Sequence, residues 1–164
     1  MKKSLYVVLM LALFSTLLAG CGSSNAQVGD ALVTVKGDIG KTNSGSNYVL
    51  DQAAFDGKSV ELTYNDPWMG DGLKYKGILL KDLIDMVKPG SNVTKVSLIA
   101  TDGKAFDIAL DDAKNYDIML ARWVDGTLLD EKNGGPVKVA YPDDAKSTYP
   151  DENWAWWVVS AEFK

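Results

Sequence analysis

Apolar residues recur at intervals of three and four through residues 79–87 (LLKDLIDMV). Leu79, Leu80, Leu83, Ile84 and Val87 then share one helical face, and Lys81, Asp82 and Asp85 take the other. Pro89-Gly90 predicts the helix end, because proline lacks the N–H and glycine accepts a left-handed cap. The period then changes to two. Over residues 94–101, Val96, Leu98 and Ala100 point one way, and Lys95, Ser97, Ile99 and Thr101 the other. Asp102-Gly103 predicts a tight hairpin turn. Phe106, Ile108 and Leu110 continue as the return strand, and residues 111–115 as a polar connector.

Period-two patterning fills much of the rest of the chain. Residues 32–36 predict a first strand. Residues 59–63 predict a second, with Val60 and Leu62 inward. Asp51 is placed to cap a short helix over residues 52–55. Residues 117–124 predict a strand with Ile118, Leu120, Arg122 and Val124 on one face, and Met119, Ala121 and Trp123 on the other. Residues 137–141 predict another. Residues 154–163 predict the last, with Ala155, Trp157, Val159, Ala161 and Phe163 toward the core and Trp154, Trp156, Val158 and Ser160 opposite. Many short strands with few short helices predict one β-rich α+β domain. Residues 64–76 (YNDPWMGDGLKYK) fit no element, since Pro67, Gly70 and Gly72 interrupt either period. Asp66 and Asp71 there lack calcium-loop spacing and read as solvated turn carboxylates.

The first 21 residues follow a different pattern. Lys2 and Lys3 precede an apolar run over residues 5–18, which Leu18-Ala19-Gly20-Cys21 closes. The run is short for a membrane span of about 20 residues. A basic end, an apolar run and small residues before a cysteine match the bacterial lipoprotein signal. That match implies a signal peptide over residues 1–20, cleavage before Cys21, and lipidation of Cys21. Residues 21–31 are then the lipidated cysteine and a flexible tether, and residues 32–164 the domain. The expected location is extracytoplasmic, anchored to a bacterial membrane by lipid on Cys21 and facing the periplasm or the cell surface. A membrane-protein partner is expected there. The formal charge of −5 becomes more negative once Lys2 and Lys3 leave. No basic cluster stands out, so nucleic acid is not an expected partner.

The chain holds one cysteine, Cys21, and no histidine. This excludes a Cys/His zinc site and a Ser-His-Asp or Cys-His nucleophile, and removes the usual ligands of haem and iron–sulfur clusters. Lysine- or carboxylate-based catalysis stays open.

Several stretches together carry a family resemblance. KGILLKDLIDMV followed by VSLIATDG resembles the molybdopterin-binding domain of the sulfite oxidase family. VTVKGDIG, YVLDQAAFDGKSVELTYN and DIMLARWVDGTLLDEKNGGPVKVAYP extend the likeness over nearly all of residues 33–163. The resemblance implies a sulfite-oxidase-like fold, and a pocket wall at the Gly134-Gly135 backbone. It also implies a cysteine just after the second strand as the molybdenum ligand. Residues 61–66 read ELTYND instead, and the family's cofactor-binding histidine has no counterpart. No molybdenum is expected, and a pterin remains the candidate cofactor.

Trp68, Arg122, Gly134, Gly135, Tyr149 and Trp156 are the candidate ligand-binding residues. Trp68 and Trp156 offer stacking faces for a flat ring, with packing over the core as the alternative for each. Arg122 offers a planar fork; an ion pair or an exposed strand end would equally explain it. The expected function is non-catalytic binding of a pterin or similar small flat ligand. An oxidoreductase subunit using molybdopterin without a thiolate and a ligand-free interaction domain are the alternatives.

Overall fold

The computed structural model describes residues 28–164. The expected signal peptide, Cys21 and the first part of the expected tether lie outside the described residues. Two five-stranded sheets and three short helices enclose one core.

The first sheet combines the two ends of the domain. Strand β1 (Val33–Gly37) pairs antiparallel with β2 (Tyr48–Leu50) and parallel with β10 (Val158–Phe163). β10 in turn pairs with β5 (Lys95–Ala100), and β5 with β6 (Ala105–Ala109). The expected period-two face is present: Val96, Leu98 and Ala100 are buried, as are Phe106 and Ile108 opposite them.

The second sheet is built on β7 (Met119–Val124). β4 (Gly70–Leu79) flanks one edge of β7 and carries β3 (Val60–Asp66) beyond it. The other edge pairs first with β9 (Lys138–Ala140) and then with β8 (Thr127–Leu128). Strand β9 also joins the sheets, because the run-in to β10 lies beside it. Val139 N–H donates to Ala155 C=O, and Val158 N–H to Val137 C=O, each at 2.8 Å.

The helices cover the sheets. Helix α1 (Gln52–Lys58) starts at the expected cap, where Asp51 accepts from Ala54 N–H at 2.8 Å. Helix α2 (Leu80–Val87) buries Leu80, Leu83 and Val87 as its period predicts. Helix α3 (Leu110–Asn115) occupies what reads as a polar connector. Leu110 and Ala113 sit three apart and give it a buried face.

Four further expectations are corrected. Residues 64–76 are not an irregular loop but most of the β3–β4 hairpin; Gly70 and Gly72 take positive φ of 121° and 70° and keep the strand going. Val60 is exposed, because it lies where β3 runs past the core. Helix α2 ends on Lys88, at φ 50°, before the proline and glycine are reached. The last strand begins at Val158. Trp157, at φ 54°, and a register shift at Val158–Ser160 break the alternation, so Trp154 is buried while Trp157 and Val159 are exposed.

Candidate functional site

The turn between β3 and β4 is made by one carboxylate. Asp66 Oδ1 accepts from Trp68 N–H at 2.8 Å and from Met69 N–H at 2.9 Å. These bonds fix the tip of the hairpin, as aspartate commonly does in turns, and leave Trp68 54% exposed.

Trp68 is the first of a row of indoles. Its ring lies edge-on to Trp156 at 6.1 Å, and Trp156 lies edge-on to Trp157 at 5.7 Å. Edge-to-face pairs at such distances are favourable for aromatic quadrupoles. The loop before β9 holds the far end of the row. Trp157 donates from Nε1 to Glu131 C=O at 2.8 Å and from its backbone N–H to Gly134 C=O at 2.9 Å. Gly134 has φ 87°, and a Cβ on it would come within 2.8 Å of the Trp156 ring. A side chain there would both strain the backbone and displace the indole. Gly135 is equally constrained, since a Cβ would overlap Leu129 C=O.

A groove of about 400 Å³ runs along this row. Trp68, Trp154, Trp156 and Trp157 line it, and so do Phe106, Lys104, Asp102, Asp151 and Glu152. Four of the five tryptophans in the chain therefore meet in one concavity. Trp157 also borders a second groove, of about 550 Å³, with Leu129, Gly135 and Pro136.

Beneath the indoles lies a polar group the sequence reading missed. Asp66 was expected to be a solvated carboxylate; it is buried. Its Oδ2 accepts from Lys138 Nζ and from Tyr75 Oη, both at 2.6 Å. Both side chains of the ion pair are 0% exposed. The Lys138 ammonium also lies 4.8 Å from the Trp156 ring centre and 5.3 Å from that of Trp154, within cation–π range. Burial pushes the Asp66 carboxyl up, but the Lys138 and Tyr75 donors and the Trp68 N–H outweigh it and hold it below its ordinary range. Burial pulls Lys138 down, and Asp66 only partly offsets this. The signal was a lysine inside the apolar run VKVAY, since a buried ammonium needs a partner.

The other candidates separate. Trp68, Gly134 and Trp156 converge on the indole row, and Gly135 lines the neighbouring groove. Arg122 instead bridges elements: it donates from Nε and Nη2 to Gln52 Oε1 at 2.9 and 2.6 Å, and from Nη1 to Pro136 C=O at 3.3 Å. Its partner is a neutral amide of α1 rather than a carboxylate. Tyr149 is buried and stacked on Tyr141 at 5.2 Å. Its hydroxyl donates to Asp112 Oδ2 at 2.6 Å and accepts from Ala109 N–H. Burial pushes its pKa up to about 12. Tyr149 thus anchors α3 and is not free to meet a ligand.

Comparison with known proteins gives this architecture relatives. A family model described as oxidoreductase molybdopterin binding domain matches residues 51–148. No curated protein matches. Among solved structures, the sulfane dehydrogenase SoxCD from Paracoccus pantotrophus is similar, with a TM-score of 0.61 at 13% identity. The match covers 83% of this chain and 39% of that one, so it shows a shared fold over a part of the larger protein. A molybdenum centre held by a protein thiolate does not fit the residues present. The described residues contain no cysteine, and Asp66, at the end of β3, is committed to Lys138 and Tyr75. Among the described residues no three acidic, cysteine or histidine side chains gather as metal ligands either. The fold is nonetheless sulfite-oxidase-like, and with the model matching more than half its length, the chain belongs to the oxidoreductase molybdopterin binding domain family.

Proposed function

We propose that this protein is a lipid-anchored, extracytoplasmic binding domain that receives a pterin or similar flat ring and does no chemistry on it. One observation carries the reading: four tryptophans line a single groove, and Trp68 and Trp157 keep 54% and 36% of their surface in water. Exposed indoles in a concavity are costly to leave uncovered and well suited to stacking. The strained backbone at Trp157 supports the same reading, because such conformations concentrate at functional sites. The anchor rests on Leu18-Ala19-Gly20-Cys21. The reading without molybdenum chemistry rests on the donor set: among the described residues there is no thiolate or imidazole to hold the metal, and the buried carboxylate and ammonium neutralise each other.

Titration with a neutral oxidised pterin tests the reading. Saturable quenching of tryptophan fluorescence is expected, and Trp68→Ala should weaken binding about tenfold or more, as loss of one stacking partner does. Elemental analysis should find no stoichiometric molybdenum. Linear, unsaturable quenching together with silent calorimetry would remove the binding reading and leave the interaction domain in front.

A further inference from the structure

Charge is distributed unevenly around the indole groove. Asp102, Asp151 and Glu152 are all exposed and line it, against the single lysine Lys104. Among the described residues, none of these three carboxylates has a Lys or Arg nitrogen within 4 Å, whereas seven other carboxylates do. Asp102 caps the backbone N–H of Lys104 at 2.9 Å. The Lys104 ammonium turns instead onto the Phe106 ring, 4.5 Å from its centre. The buried Lys138 does not reverse the balance, because Asp66 neutralises it at 2.6 Å.

The rings add to the same preference. Indole faces attract cations more strongly than any other side-chain ring, and carboxylates around them reinforce the field.

We propose that the groove of Trp68, Trp154, Trp156 and Trp157 selects a flat organic cation, through its aromatic faces and the unpaired carboxylates Asp102, Asp151 and Glu152. The proposal rests on the reading of this groove as a ring-binding site and adds the sign of the ligand's charge. An anionic ring, including one carrying a phosphate, is disfavoured here by the same carboxylates.

Three probes with one ring and one size test it: 1-methylnicotinamide is a cation, nicotinamide is neutral, and nicotinate is an anion. Calorimetry and tryptophan quenching on the soluble domain should rank them cation, neutral, anion, with about a tenfold advantage for the cation over the neutral amide. Raising the salt should weaken the cation and leave the neutral amide unchanged. The double variant Asp151→Asn/Glu152→Gln should lower the cation's advantage while keeping the unfolding midpoint, since both residues are exposed. Equal affinity for the cation and the neutral amide, or tightest binding of nicotinate, would overturn the charge preference and leave the ring-binding reading intact. If no flat ring of any charge binds, both readings fall.

Discussion

At the scale of single residues, the buried pair of Asp66 and Lys138 dominates. Removing one partner leaves an unpaired charge out of water, which costs about 3–5 kcal/mol. Lys138→Ala is therefore expected to lower the unfolding free energy by about that much, read from urea denaturation. The double replacement Asp66→Asn/Lys138→Met should recover part of the loss, because it removes both buried charges while the amide oxygen can still accept from the Trp68 and Met69 N–H groups. The pair also sets an acid limit. The folded-state pKa of Asp66 lies below the ordinary 3.8, so the unfolded chain binds the proton more readily. Its stabilisation is complete above about pH 4. It is lost as pH falls through the folded value. A stability profile that falls steeply in that window, and is flattened in the double variant, checks the sign.

At the scale of elements, helix α2 offers two opposed tests. Leu83 is fully buried at the centre of its apolar face, so Leu83→Ala should cost about 2–5 kcal/mol. Lys88 ends the helix in the left-handed region at φ 50°, which costs a non-glycine residue about 1 kcal/mol. Lys88→Gly should therefore raise stability by up to about 1 kcal/mol, despite losing an exposed contact to Asp85. The first follows from periodicity, which is also what made most elements readable. Helix α2, strands β5 to β7 and the Asp51 cap all lie where the pattern puts them. The β3–β4 hairpin was not readable, because glycines that break a period can still extend a strand when their neighbours supply the ladder. Helix α3 was hidden by its length, with two apolar positions too few to show a period. The last strand failed differently. Three tryptophans were visible there, but their sides depend on a single positive φ at Trp157 and on a bulge, neither of which alternation encodes. Trp68 and Trp156 could be nominated as exposed-type aromatics. Their union with Trp154 and Trp157 depends on pairing across the fold, and the Asp66–Lys138 link spans 72 positions.

At the scale of the whole molecule, the described residues include no helix long and apolar enough to cross a membrane. In the proposed anchoring, attachment falls to the lipid on Cys21. Cys21→Ser is expected to move the protein from the membrane fraction to the soluble one with its thermal unfolding midpoint unchanged; retention in membranes washed with high salt would contradict the lipid anchor. The parallel pairing of β1 with β10 bears on how the chain is made. Thr34 and Ser160, neighbours across that ladder, are 126 positions apart. A chain that leaves a ribosome or an export channel N-terminus first delivers β1 long before the strand that completes its sheet. Closing so distant a contact is slow. Until residues 158–163 arrive, β1 carries an open hydrogen-bonding edge, of the kind that chaperones cover and that aggregation exploits. The order of delivery thus leaves the first sheet incomplete until its central strand, the last to emerge, arrives.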